Sequence, residues 1–480
     1  MMQKETIAAI ATGLTDSGIG IIRISGEDAV LVGNSVFRLP SGKEFLMNAE
    51  SHKLYYGFII DIDEIENKSD LSGWKDFIID EVMAVVMKAP RSFTGEDTVE
   101  IQCHGGVLVM QKILSCVLKN GARMAEPGEF TKRAFLNGRM DLSRAEAVID
   151  VIHSQNEYAL AASVNQLKGN LSEEIKKLRS DIIYEVAFIE SALDDPEHIS
   201  LDGYQERLSE KTDSLIREIT KLISTADNGK LIKEGINTVI VGKPNAGKSS
   251  FLNLLLGEER AIVTDIAGTT RDVLQETVCI GGITFHIVDT AGIRHTDDTV
   301  EKIGVERAKK YAGDADLIVY VVDSSVDLDE NDKEIISIIN RKNVVVLLNK
   351  SDLSNIVTEE KINTAFDQIS SEAGNRVIIK TAARDGVGLE EFEKTVKDMF
   401  FHGEIKGCHE TVITNLRHKE ALQEALNSLR LVMKSLEDNM PEDFYSIDLM
   451  SAYAALGRII GEEVDDDLVE EIFSKFCMGK

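Results

Sequence analysis

Between Gly242 and Ser249 the chain reads GKPNAGKS, the spacing G-x-x-x-x-G-K-S. Those residue types in that order suit a polyphosphate. The glycines let backbone N–H groups converge on phosphate oxygens, and a helix starting there adds the positive end of its dipole. Lys248 is placed to reach the β- and γ-phosphates, and the Ser249 hydroxyl to hold Mg²⁺. Downstream, Asp289-Thr290-Ala291-Gly292 offers a carboxylate that can hold Mg²⁺ through water and a glycine N–H for a γ-phosphate. Asn349-Lys350-Ser351-Asp352 selects the base. Guanine presents N1–H and a 2-amino group side by side, which the Asp352 carboxylate can accept together; adenine presents no such pair, so GTP is preferred over ATP. Thr381-Ala382-Ala383 follows another strand-like run, where a backbone N–H can meet the guanine oxygen.

These groups work only if rigid elements hold them. From 235 to 402 the pattern alternates between strand and helix, with β-like runs at Thr238 to Val241, Glu276 to Ile280, Thr284 to Val288, Leu317 to Val322, Val344 to Leu348 and Val377 to Lys380. That alternation predicts a parallel sheet with crossover helices, and it puts Asp289 at the end of the third strand. Residues 1–120 carry shorter β-like runs (Ile19 to Ile24, His52 to Asp61, Val82 to Met87, Val99 to His104) and a helix over Val107 to Lys119, a small α/β domain. Over 121–234 the period turns helical. Leu160, Val164, Leu167, Leu171, Ile175, Leu178, Ile182, Val186, Ile189 and Leu193 read as one face of a long helix, with Pro196 as its terminator. Helical periodicity returns over 403–480, with Leu422, Leu426, Leu429, Met433 and Leu436 on one face. The expected fold is therefore α/β plus all-α: a small N-terminal α/β domain, a helical domain formed by two chain segments, and a parallel-sheet module inserted between them.

At 480 residues the chain is too long for one core. Composition is ordinary for a globular protein, with 43% hydrophobic and 28% charged residues. No apolar run approaches a membrane span and the N-terminal stretch lacks a basic region with a long apolar core, so a soluble cytoplasmic protein with no membrane partner is expected. Five scattered cysteines without a C-x-x-C pair argue against a disulfide framework and a zinc site. A net charge of −29 works against non-specific nucleic-acid binding, so any RNA partner must meet a local patch or a second protein.

The stretches GKPNAGKSS, AIVTDIAGTTRD, DTAGIR, NKSD, APRSFTGEDTVEIQCHGG, AEPGEFTKRAFLNGRMDLSRAEAVID and the terminal FCMGK span both ends and the middle. Together they resemble the MnmE (TrmE) family of tRNA modification GTPases, in the TrmE-Era-EngA branch of Ras-like P-loop GTPases. The resemblance implies GTP contacts from Asn245, Ala246, Gly247, Lys248, Ser249 and Ser250. It adds a switch segment Thr264, Asp265, Ile266, Ala267, Gly268, Thr269 and Thr270, then Asp289, Thr290, Ala291 and Gly292, and a base site of Asn349, Lys350, Asp352, Thr381, Ala382 and Ala383. Mg²⁺ would sit on Ser249 and Thr270. Where Ras itself has a glutamine this chain has Ile293, which cannot polarise water, and the family's catalytic glutamate matches Glu301, acting through an intervening water. In place of an arginine finger the family uses K⁺, with ligands that transfer to Asn245, Thr264, Ile266 and Thr269. Arg271 and Arg294 are read as exposed switch-loop charges.

The resemblance also implies that the N-terminal domain dimerises and binds 5-formyl- or 5,10-methylene-tetrahydrofolate through Arg23, Glu100, Arg139 and Lys480. Guanidinium and ammonium groups suit the folate glutamate, and a carboxylate suits the pterin N–H donors. The loop before GIGIIRISG departs from the family, reading TGLTDSG from Thr12 to Gly18 with no proline, and Thr381 replaces the usual serine. Cys103 and His104 are too few for zinc and read as structural or pocket-lining residues. Cys477 fits either a nucleophile in uridine chemistry or a small residue packed beside Phe473 and Phe476. The implied function is a K⁺-stimulated GTPase. As a homodimer with the partner MnmG (GidA), it would add a carboxymethylaminomethyl-type group to C5 of the tRNA wobble uridine. A ribosome-assembly or regulatory GTPase is the alternative, and it would call for an appended RNA-binding module with a basic face, which the sequence does not show.

Overall fold

A computed structural model describes residues 5–61, 74–195, 197–198, 200, 202–257, 275–289, 312–313, 315–354, 356–369, 374–401, 411–464, 466–476 and 479. For Gln275, Asp289, Asp443 and Asp466 only the backbone is described. Contacts divide the chain into two compact units, one of Met1–Ile149, Gln166–Phe188 and Met450–Lys480, the other of Asp150–Asn165 and Ile189–Leu449.

Among the described residues the first unit holds a seven-stranded sheet in the order β3-β4-β5-β6-β2-β1-β7. Its strands are β1 (Ile7–Ile10), β2 (Ser17–Ser25), β3 (Phe37–Arg38), β4 (Leu54–Ile60), β5 (Ile78–Met87), β6 (Thr98–Gly105) and β7 (Arg123–Met124). All neighbours are antiparallel except β1 and β7. Side chains alternate. Ile22, Ile24, Val82, Ala84, Val86, Val99 and Ile101 enter one core with the helices Ala29–Val36 and Val107–Lys119, while Arg23, Glu100 and Gln102 fall on the opposite, half-buried face. The helical period expected from about Arg123 begins later, because Arg123–Met124 first closes the sheet edge against β1. With two to four residues each, β1, β3 and β7 are too short to show a period.

The second unit holds a six-stranded sheet in the order β13-β12-β11-β8-β10-β9. Its strands are β8 (Ile236–Val241), β9 (Gln275–Ile280), β10 (Ile283–Asp289), β11 (Leu317–Asp323), β12 (Val344–Asn349) and β13 (Arg376–Lys380). Only β9 runs antiparallel. Here both faces are covered. Ile240, Val319, Val321, Val345 and Leu347 join a core with Phe251 and Phe392, while Val239, Val241, Ile318, Tyr320, Val344 and Val346 join another with Ile336 and Phe366. Continuous apolar strands of this kind are what a parallel sheet flanked by helices requires, and each buried aliphatic side chain contributes about 1.5–3 kcal/mol.

The segments before and after this module pack on each other. Helix Tyr204–Ser224 lies along helix Leu416–Glu437, and the Ile413 N–H donates to Thr225 Oγ1 at 3.0 Å. The fold is thus an α/β N-terminal part, a two-segment helical part and an inserted Ras-like module. One expectation fails: the single long helix is two, Glu157–Lys168 and Asn170–Asp194. Gly169 separates them with φ +103, a left-handed conformation that ends a helix and that glycine adopts without strain. Leu171 to Ile189 keep the buried face, but Leu160 and Leu193 are exposed. The second helix ends at Asp194; Pro196 lies outside the described residues.

Candidate functional site

Strand β8 is buried from Thr238 to Val241, and the chain then turns through Gly242–Gly247 before helix Lys248–Leu256 begins. Asn245 (φ +62) and Gly247 (φ +103) take left-handed conformations, which asparagine tolerates and glycine favours. A Cβ on Gly247 would lie 2.0 Å from Asn349 Nδ2, so no side chain fits there. The Lys248 ammonium donates to the carbonyls of Gly242 and Lys243, both at 2.8 Å. Ser249 and Ser250 are exposed in the first helical turn, where N–H groups lack intrahelical partners.

Asn349, 3% exposed at the end of β12, joins three of the sequence-predicted segments. Its Nδ2 donates to Ala246 O at 2.8 Å, and its Oδ1 accepts from Ala383 N at 3.1 Å and Thr381 Oγ1 at 3.5 Å. Thr381 N donates to Leu348 O and Ser351 N to Thr381 O, holding the loops after β12 and β13 side by side. Lys350, at φ +61, pairs with Asp323 at 2.5 Å at the end of β11. Burial pushes the Asp323 carboxyl up, but the Lys350 ammonium and the Ser325 hydroxyl and N–H outweigh it and hold the group below the usual carboxylate range. Asp352 is exposed beyond this pair, and Ala382 and Ala383 are buried. The phosphate loop and the base-reading loops therefore converge at the carboxyl ends of β8, β12 and β13. The backbone of Asp289, at the end of β10, aligns with Ile240 of β8. Thr264, Asp265, Ile266, Ala267, Gly268, Thr269, Thr270, Arg271, Thr290, Ala291, Gly292, Arg294 and Glu301 lie outside the described residues.

On the half-buried face of the first sheet Arg23 and Glu100 are cross-strand partners, with Arg23 Nε donating to Glu100 Oε1 at 2.8 Å. The Arg23 guanidinium lies 5.3 Å from the ring centre of Phe93 and 5.6 Å from that of Phe130, and its Nη1 donates to Gly479 O at 3.4 Å. Arg139 is exposed and donates to Ser92 O at 3.4 Å, next to Phe93. Lys480 and Cys477 lie outside the described residues, while Phe473 and Phe476 pack with Leu142 and Ala145. The Thr12–Gly18 stretch runs through the β1–β2 connection into the first two residues of β2, and Ala11 N donates to Ile21 O at 2.7 Å beside it. Cys103 faces the core, where burial pushes its thiol up to about 11; His104 faces the other way and pairs with Asp80 at 2.7 Å.

Residues 6–139 match the family model described as GTP-binding protein TrmE N-terminus, and residues 142–477 match the one described as MnmE helical domain. A protein described as tRNA modification GTPase MnmE from Lachnoclostridium phytofermentans is 54% identical over 100% of both chains. The chain belongs to the MnmE family. Relatives of the same description from Clostridioides difficile and Desulforamulus reducens are 48% and 43% identical, again over 100% of both chains. As an MnmE-family member the chain is a GTP hydrolase.

Two sets of residues in this MnmE chain escaped the sequence reading. Lys243, inside the phosphate loop, is bound by Asp332 at 2.7 Å and Asp329 at 3.0 Å. Phe93 and Phe130 frame Arg23. The stretch RSFTGED around Phe93 carried a signal, but it lies in the β5–β6 connection, and only the tertiary fold brings Phe93 near Arg23.

Proposed function

We propose that this MnmE-family chain acts in tRNA modification. With MnmG (GidA) it adds a carboxymethylaminomethyl-type group to C5 of the wobble uridine, using a tetrahydrofolate one-carbon unit, and its GTP hydrolysis is stimulated by K⁺. The observation that carries the GTP reading is the Asn349 amide, which ties the phosphate loop to the loop after β13. In this reading Asn245–Ser250 cradle the phosphates, Lys248 neutralises them, and Asp352 reads guanine while Thr381–Ala383 approach its oxygen. Thr264–Thr270 and Asp289–Gly292 complete the phosphate side, and Glu301 orients water through a second water.

Among the described residues, Asn245 and Ser249 suit the implied ions. Ser249 is exposed in the first turn of the helix that follows β8, the strand β10 pairs with, and Asn245 is exposed on the loop. Ser249 and Thr270 would hold Mg²⁺, and Asn245, Thr264, Ile266 and Thr269 would hold K⁺; the cations neutralise charge on the phosphates. The folate reading is supported by the first sheet's half-buried face, where Arg23, near the Phe93 and Phe130 rings, and Glu100 offer a cation and a carboxylate, with Arg139 and Lys480 as further cations. The working division is a folate-binding and dimerising part at 1–120, helical segments at 121–234 and 403–480, and the GTPase module at 235–402, in a cytoplasmic homodimer.

The deciding measurement is the nucleoside content of tRNA from cells lacking the protein. Unmodified wobble uridine is expected, and unchanged modification would remove the tRNA role. GTP turnover equal in Na⁺ and K⁺ at matched ionic strength would remove the K⁺ assignment, and turnover retained by Glu301→Ala would remove that residue's role.

A further inference from the structure

Lys243 occupies the second position of the phosphate loop, and its ammonium is held by two carboxylates that lie outside the loop in sequence. Asp332 is the buried partner, its side chain 1% exposed, at 2.7 Å; Asp329, at 3.0 Å, is half exposed. Both oxygens of the Asp332 carboxylate are engaged. Its Oδ1 accepts the Tyr320 hydroxyl at 2.8 Å, and its Oδ2 accepts the Asp329 N–H at 2.9 Å as well as Lys243. Asp329 and Asp332 form the capping box that starts helix Glu330–Ile339. Lys243 thus joins the loop to a helix N-terminus whose own geometry is fixed.

Within the loop's first half the support is thin: Ala246 N reaches Lys243 O at a long 3.3 Å, and Pro244 and Asn245 are exposed. The second half is held by Asn349 through Ala246 O. The Lys243 carbonyl also accepts from the Lys248 ammonium, at 2.8 Å. Moving Lys243 would therefore move the group that holds Lys248.

We propose that Lys243 is a positioning residue for nucleotide binding: its ion pairs with Asp332 and Asp329 pre-set the phosphate loop and the carbonyl that orients Lys248. The inference rests on the GTPase reading above. Because the Lys243 ammonium is engaged by Asp332 and Asp329, its effect reaches the nucleotide through the loop and serves GTP, GDP and the transition state alike. Losing it raises KM and leaves kcat in place. A buried carboxylate left without its cation also destabilises the module, so stability and positioning must be separated.

The full chain is assayed as wild type, Lys243→Met, Lys243→Arg, and the double variant Lys243→Met/Asp332→Asn, reading Tm, GTP and GDP affinity, and steady-state GTP hydrolysis. Lys243→Met is expected to lower Tm, weaken both nucleotides about tenfold and raise KM equally, with kcat within about twofold. Lys243→Arg, which can bridge the same carboxylates, restores affinity. In the double variant no charge is left buried, so Tm recovers while KM stays raised. Recovery of KM together with Tm in the double variant would overturn the proposal, as would unchanged affinity in Lys243→Met. Absence of GTP binding by the wild-type chain would instead overturn the GTPase reading itself.

Discussion

The two sheets place polar chemistry in different ways. In the six-stranded sheet alternate residues of β8, β11 and β12 feed two separate apolar cores, so neither face is available to a ligand. The residues read as nucleotide-binding sit past the strand ends, in loops that start where burial stops, as open parallel sheets require. The seven-stranded sheet buries one face under two helices and leaves the other half-buried, and there Arg23 and Glu100 stand mid-strand. A doubly covered sheet confines its site to contiguous loop segments. A sheet with a half-buried face can bring together cross-strand neighbours far apart in sequence, as it does Arg23 and Glu100.

The comparison breaks first at Lys248. If the chemistry of the parallel sheet is confined to its strand ends, Lys248→Ala removes GTP turnover by about a thousandfold or more while leaving the first unit intact. GTP hydrolysis and folate binding measured on one preparation check this, and a parallel loss of folate binding would show that the sites are not separable in this way. Asn349→Ala comes next. It orphans Ala246 O and Ala383 N in a buried setting, each costing about 1–3 kcal/mol, so nucleotide affinity falls by roughly a hundredfold with a lowered Tm. Asp352→Asn tests the base side alone, because the side chain is exposed. An amide still offers an acceptor but replaces the other with a donor, so GTP weakens by roughly a hundredfold and xanthosine triphosphate, whose C2 carries an acceptor, gains. Competition binding with the two nucleotides gives the answer, and unaltered preference would remove Asp352 from base recognition.

These differences explain what could be read from the residues. The loop segments GKPNAGKS, NKSD and TAA are contiguous and follow apolar runs, so both their chemistry and their place on the sheet were legible. The Arg23–Glu100 pair was not, since the partners are 77 residues apart and only register joins them; the resemblance supplied it. The Lys243–Asp332–Tyr320 cluster was hidden for another reason. Asp332 looks like an ordinary helix-start acid, and nothing local says that a loop lysine 89 positions earlier (332 − 243) closes on it. Leu160 and Leu193 kept the helical period without being buried, because period reports spacing and not whether a neighbour covers it.

On the open face, Arg23→Ala is expected to weaken tetrahydrofolate binding about tenfold, through loss of a charge-assisted contact, with KM for GTP unchanged. Titration of the full chain with 5-formyl-tetrahydrofolate measures it, and a shift in KM for GTP instead would contradict the separation of the two sites.

The smallest effect concerns how the singly covered sheet is held at its β7 edge. Glu129 takes Arg123 at 2.6 Å and Arg133 at 2.9 Å, and Arg133 continues to Glu96 at 3.1 Å, a charge network at the edge strand where the parallel sheet has apolar cores. Burial pushes the Glu129 carboxyl up, but Arg123, the Glu126 N–H and Arg133 outweigh it and bring it down to about 2 from an ordinary 4.5. A carboxyl depressed on folding stabilises above its unfolded value and loses that contribution as pH falls toward its folded one. The stability is therefore complete above about pH 4.5 and drains away between 4.5 and about 2. The whole shift corresponds to about 3 kcal/mol, which solvent screening at the 39% exposed Arg123 reduces to on the order of 1 kcal/mol. Glu129→Gln, followed by unfolding midpoints through that window, should lower stability at neutral pH and flatten the acid slope. An acid slope equal to wild type would mean that this edge is held by packing, as the other sheet is.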